Sequence, residues 1–202
     1  MADHPNAVRI SGRTITTPRL RLRPWTVGDA EEALRIFGHD EVARWLAPAM
    51  TRVADVNEMR EVLRGWSEDD ATARPTGRWA LEELETSRLV GAGAVLPLPP
   101  LGEDLEIGWQ LAPDAWGRGL AAEAGHALAH YAFSGGEDEV FAVVRPRNAR
   151  GVATARRVGM EWVGETEKYY DLRLQVFRLR KGELDLSTLP GPAPRIPIAQ
   201  AS

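Results

Sequence analysis

The chain has 202 residues, of which 44% are hydrophobic, so it is long and apolar enough for one domain with its own core and is not a disordered segment. A formal net charge of −4 at pH 7 argues against a general nucleic-acid binder. The absence of cysteine excludes disulfides, a thiol nucleophile and thiolate metal ligands.

No stretch reaches the roughly 18 uncharged apolar residues of a membrane span. Met1–Asn6 lacks the basic and apolar regions of a secretory signal, and the expected compartment is the cytoplasm. Residues 1–13 are polar and aperiodic and read as a loose arm before a single domain over 14–183. From Thr17 to Trp25, Leu20 and Leu22 alternate with Arg19, Arg21 and Arg23, which predicts a strand with a solvated arginine side. Thr26 and Asp29 have the spacing of a capping box, with Leu34 and Phe37 following at helical intervals. Val53, Val56, Met59, Leu63 and Trp66 predict a helix over 51–68, with a turn at 69–77. Residues 78–85 and 88–96 read as a hairpin across Thr86 and Ser87, and 97–104 as a loop.

The next stretch is the most informative. Leu105, Ile107, Trp109 and Leu111 alternate with Glu106, Gly108 and Gln110, which predicts a strand over 104–112 that Pro113 ends. Trp116-Gly117-Arg118-Gly119-Leu120-Ala121-Ala122 then leads into an Ala-rich helix over 118–133. Glycines at a helix start let main-chain N–H groups converge where the helix dipole is positive, an arrangement that suits an anion such as phosphate. A short strand over 140–144, a helix over 149–158 stopped by Gly159, and two strands over 161–168 and 174–180 complete the domain. Residues 184–202 carry four prolines and read as an extended tail. The order β-α-α-β-β-β-α-β-α-β-β implies a mixed α/β sheet with helices on both faces.

The strand, the W-G-x-G-x-A turn, the following A-x-E, and Asn148 with Gly159 eleven residues on resemble the GNAT acyltransferase superfamily. The opening T-P-R-L-x-L-R-P-W is similar to the Rim-type branch, the ribosomal-protein N-terminal acetyltransferases, and the likeness runs from about Thr16 to Lys181. The resemblance implies a mostly antiparallel central sheet splayed at its middle. It implies acetyl-CoA as co-substrate and a direct transfer of the acetyl group to a primary amine, on a protein N-terminus or a small molecule. No nucleic-acid or membrane partner is expected, and relatives are monomers or homodimers. It assigns the pyrophosphate to the turn Trp116, Gly117, Arg118, Gly119, Leu120, Ala121 and Ala122, and main-chain contacts with the pantetheine arm to Trp109, Gln110 and Leu111. Asn148, also a natural helix cap, would contact the same arm. Arginines 145, 147, 150, 156 and 157 surround that helix, and some of them could meet a further phosphate.

Direct attack by an amine needs positioning and removal of a proton. Glu106 is the foremost candidate base, with Glu161, Glu165 and Glu167 behind it, although a surface strand glutamate is as good a reading of the pattern. Two hydroxyls common in the family are missing: Ala155 stands where many members have Tyr, and Gly151 where the Rim-type branch often has Ser. Tyr169, Tyr170 or Thr154 could protonate the leaving thiolate instead. The same absences leave open a non-catalytic acyl-CoA-binding module. A dinucleotide-binding reading is poor, because the third glycine of that fingerprint is lacking. His126 and His130 are spaced for a metal site but lack a third ligand, so no metal is expected and both are placed on the exposed side of their helix. The loop Leu96–Leu101 and the aromatics Trp45, Trp79 and Trp109 are candidates for the acceptor wall.

Overall fold

The computed structural model describes residues 7–46, 50–69, 75–100 and 102–184. In chain order these form β1 (Arg9–Ser11), β2 (Thr14–Thr16), β3 (Leu20–Pro24), α1 (Ala30–Phe37), α2 (Asp40–Ala43), α3 (Val56–Asp69), β4 (Gly77–Glu83), β5 (Leu89–Pro97) and β6 (Leu105–Leu111). Then follow α4 (Leu120–Ser134), β7 (Glu139–Val144), α5 (Ala149–Val158), β8 (Glu161–Thr166) and β9 (Leu174–Arg180).

The strands make one mixed sheet in the order β1-β2-β3-β4-β5-β6-β7-β9-β8. Every neighbouring pair is antiparallel except β6 and β7, which are parallel and meet at the single pair Glu106–Phe141. Beyond that pair the sheet opens. On its other side β6 is fully paired with β5, from Gly91–Leu111 to Pro97–Leu105. Ala112 continues the ladder, donating its N–H to the Val90 carbonyl at 3.0 Å. Main-chain groups alternate direction along an antiparallel ladder. Residues of the same parity as Ala112, including Gln110, therefore turn their main chain to β5, and Ile107, Trp109 and Leu111 turn theirs into the gap.

Apolar side chains leave the sheet on both faces. One core gathers α4 and α5 around Trp79, Ile107, Leu128 and Phe177. The other gathers α1 and α3 around Trp25, Phe37, Met59 and Leu63. The two cores follow from strand alternation, and full burial of a leucine such as Leu63 contributes roughly 1.5–3 kcal/mol. At the first turn, Asp29 accepts from Thr26 N–H at 2.8 Å, so an Asp does serve where a capping box has Glu.

Several local expectations are corrected. Residues 9–11, assigned to a loose arm, pair with 14–16 as a hairpin, because Ile10 and Ile15 stand opposite and Ile15 is wholly buried. The four-residue α2 has too little periodicity to read from sequence. The arginine side of β3 is not simply solvated: Arg21 and Arg23 both pair with Glu82, and Arg23 also forks onto Asp29 at 2.8 and 2.9 Å. His126 is only 4% exposed, because α4 lies between the sheet and its neighbours and is buried on most of its faces. Trp79 is fully buried against Tyr131 and is no part of an acceptor wall. The expected turn at 69–77 and the tail at 184–202 fall largely outside the described residues.

Candidate active site

The gap between β6 and β7 is the floor of a cleft of about 880 Å³, a size suited to a small-molecule ligand. At one end lies the turn before α4. Gly117 and Gly119 have φ of 75° and 78°, left-handed values at which any other side chain is strained, and both line the cleft. The first turn of a helix leaves N–H groups without intrahelical partners, so the start of α4 presents donors and a positive dipole here.

The turn is anchored from behind. Glu123, 2% exposed, accepts from Thr17 Oγ1 at 2.6 Å, Arg19 N–H at 3.0 Å and Arg19 Nε at 2.6 Å. Arg19 Nη1 also donates to the Arg118 carbonyl at 2.8 Å. Arg118 spends its guanidinium on the buried carboxylate of Glu83. The T-P-R-L opening and the A-x-E of α4, about a hundred residues apart in sequence, are thus two halves of one charge-assisted network. The indole of Trp116 turns back to donate to the Leu111 carbonyl at 2.9 Å, and the Arg150 guanidinium lies over its ring, 4.2 Å from the centroid.

Asn148 caps α5, its Oδ1 accepting from Gly151 N–H at 3.0 Å, and it also lines the cleft. The glycine at 151 is a packing requirement. A Cβ there would come 2.8 Å from Asn148 Nδ2 and 2.9 Å from Val144 Cγ1. Ala155 is fully buried in the α4–α5 core, whereas Thr154 reaches the cleft. Arg145, Arg150 and Arg157 line the same end.

At the middle of the cleft Glu106 sits where β6 and β7 part. Its side chain keeps some surface on the cleft and is otherwise enclosed. Tyr170 Oη donates to Glu106 Oε2 at 2.9 Å. Burial pushes the Glu106 carboxyl up to about 7, against the opposing pull of Tyr170 and of the Val143 N–H. Burial, and then the Glu106 charge, push the Tyr170 phenol far above its usual range, so it stays protonated. Tyr170 is held in place by a turn in which it and Asp171 both have left-handed φ, 56° and 52°.

The structure separates the two tyrosines. Tyr169 lies outside the cleft lining, packs with Leu98, Leu174 and Val176, and donates to Asp104 at 3.0 Å. Burial and then Asp104 push its phenol up to about 12. Trp109, Gln110 and Leu111 all line the cleft, but the Gln110 main chain belongs to the β5 ladder. Glu165 pairs with Arg173 away from the cleft, and the side chain of Glu161 is 64% exposed. Sequence reasoning missed Trp25, Phe37, Trp66 and Arg78, which also line the cleft. The helical stripe through Trp66 marked a buried face but not one facing a cavity.

Comparison with known proteins gives the arrangement its family. The acetyltransferase (GNAT) domain profile matches residues 19–161. An uncharacterized N-acetyltransferase, YoaA, of Bacillus subtilis (strain 168) is 26% identical over 156 residues, which cover 77% of this chain and 86% of that one. Among solved structures, a GNAT-family acetyltransferase from Bacillus anthracis superposes with a TM-score of 0.69 at 20% identity, over 84% of this chain and 99% of that one. Mycobacterium smegmatis RimJ in complex with CoA-disulfide superposes with a TM-score of 0.70 at 19% identity, over 82% and 83% of the two chains. The fold, the glycine turn at the start of α4 and the profile match agree: the chain belongs to the GNAT family of acetyltransferases and is an acyltransferase.

Proposed function

We propose that the protein is an acetyl-CoA-dependent N-acetyltransferase that moves the acetyl group directly to a primary amine, with both substrates bound together. The observation that carries this reading is the Glu106–Tyr170 pair, 2.9 Å apart at the point where the sheet opens. Acetyl-CoA supplies an activated acetyl thioester when bound. The residues present fit it: the left-handed glycine turn with the α4 N-terminus suits a pyrophosphate, and the β6 main chain turned into the gap at Trp109 suits an amide-bearing arm. The structural neighbour RimJ, solved with CoA-disulfide, supports a coenzyme A thioester as the co-substrate.

Glu106 accepts the proton that the amine must lose, directly or through water. A carboxyl near 7 is a far better base than an ordinary one and is still about half ionised at neutral pH. Tyr170 holds the proton that the sulfur needs as the C–S bond breaks and the C–N bond forms. The hydrogen bond between the two lets the proton gained by Glu106 restore the phenol, so the pair ends the cycle as it began. An α-amine is roughly a tenth free at neutral pH and a lysine only about a thousandth, so one base of this strength suits an α-amine better. A phenol already in the cleft also answers the lack of a hydroxyl at 151 and 155, which motivates the alternative reading as a non-catalytic acyl-CoA-binding module.

The test is a thiol-release assay with acetyl-CoA and a panel of N-terminal peptides and small amines. Turnover that falls at least tenfold in both Glu106→Gln and Tyr170→Phe supports the reading. Binding of acetyl-CoA without turnover on any amine would leave only the binding module.

A further inference from the structure

Two consecutive tyrosines bond to two carboxylates that are themselves close in sequence. Tyr169 Oη donates to Asp104 Oδ2 at 3.0 Å, and Tyr170 Oη donates to Glu106 Oε2 at 2.9 Å. Asp104 stands immediately before β6, and Glu106 is within that strand. Glu106 and Tyr170 line the cleft, whereas Tyr169 and Asp104 lie outside its lining.

The phenols come from a turn that its own sequence disfavours. The Tyr169 carbonyl accepts from Leu172 N–H at 3.2 Å, and the residues between them, Tyr170 and Asp171, have φ of 56° and 52°. Left-handed φ at both central positions is the pattern of a type I′ turn, which favours Asn and Gly and in which a tyrosine is strained. Such a turn persists only when contacts from outside hold it. Tyr169 supplies them: it is 7% exposed and packs with Leu98, Leu174 and Val176. Lys168 Nζ lies 3.6 Å from Asp104 Oδ2 and 5.2 Å from the centroid of the Tyr169 ring, so it steadies the same bond. Asp104 is itself fixed, its carbonyl accepting from Leu98 N–H at 2.9 Å.

We propose that Tyr169 is a positioning residue for Tyr170: its bond to Asp104 latches the turn to the start of β6 and so sets the reach of the Tyr170 phenol to Glu106. The kinetic consequence rests on the acetyltransferase reading above, and the placement of the phenol rests on the geometry alone. Tyr169→Phe keeps the ring packing and removes only the hydroxyl. Asp104 then retains Lys168, and its side chain is 31% exposed, so no buried charge is stranded.

The experiment has one readout that needs no catalysis, the titration of Glu106 in the full chain followed by carboxyl carbon NMR. The Tyr170 hydrogen bond pulls the Glu106 carboxyl down, so losing it moves the midpoint up. Tyr169→Phe is expected to raise the midpoint as Tyr170→Phe does, by at least about half as much, and to leave it unmoved in the Tyr170→Phe background. In steady-state kinetics Tyr169→Phe should lower kcat about fivefold or more with KM for acetyl-CoA within about twofold, and should cost less than about twofold in the Tyr170→Phe background. Asp104→Asn, which keeps an acceptor, should retain most of kcat, and Asp104→Leu should behave as Tyr169→Phe does, with CoA affinity in each variant serving as the check of folding. A Glu106 midpoint that Tyr169→Phe leaves unmoved, or still raises in the Tyr170→Phe background, overturns the proposal. So does a kcat that Tyr169→Phe leaves intact where Tyr170→Phe lowers it. If Tyr170→Phe leaves kcat unchanged while Tyr169→Phe still moves the midpoint, the transfer mechanism drawn through this pair fails and the latch stands.

Discussion

A single carboxyl carries most of the chemistry argued for this protein, and its behaviour follows from where it sits. Glu106 is raised from 4.5 to about 7 chiefly by burial. As a base it works only when ionised, so kcat/KM should rise with pH through about 7 and level off above it. Glu106→Gln should lower kcat/KM roughly 100-fold or more and abolish that limb of the profile, as read by initial rates between pH 5.5 and 9. The same shift has a stability consequence. Between 4.5 and about 7 the folded state holds more proton than the unfolded state, so stability falls as pH rises through that window, by on the order of 3 kcal/mol in total. Glu106→Gln is neutral at every pH and escapes this loss. Its melting temperature should therefore exceed that of the parent at pH 8, and the advantage should shrink or vanish at pH 5.

At the scale of elements, the turn before α4 depends on a strand far from it in sequence. Removing Arg19 leaves the buried Glu123 carboxylate without its main partner and frees the Arg118 carbonyl. Breaking a buried pair in this way costs about 3–5 kcal/mol, so Arg19→Met should show a lowered urea midpoint and a raised KM for acetyl-CoA, with kcat less affected. The start of α5 makes a second case. Serine at 151 would drive its Cβ against Asn148 and Val144, so Gly151→Ser should weaken acetyl-CoA binding and fail to raise kcat. In the proposed mechanism a phenol delivered from the β8–β9 turn takes the place of the hydroxyl common in the Rim-type branch.

For the whole molecule, the sheet is both scaffold and site. Its strands are held on two sides by separate cores, and the opening between β6 and β7 leaves one cleft reaching from the glycine turn to the α1–α3 wall. A ligand that binds only the folded chain must stabilise it. Acetyl-CoA at 100 times its Kd should add about 2.7 kcal/mol and raise the melting temperature by several degrees, whereas NAD should not, as differential scanning fluorimetry would show.

The sequence by itself determined the elements whose signals are local. Leu20 and Leu22 alternate within one strand, Met59 and Leu63 repeat within one helix, and Gly117 and Gly119 mark one turn; each is a short-range preference of the backbone or of one buried face. The tertiary structure alone decided what depends on contacts between distant segments. That Tyr170 rather than Tyr169 meets Glu106 follows from a left-handed turn between β8 and β9. That Arg19 serves α4 rather than solvent follows from the crossing of β3 and the start of that helix. That Trp25 and Trp66 face a cavity, while Trp79 is sealed in the core, follows from which side of the open sheet each one packs against. Periodicity reports that a face is buried, but not what lies across from it.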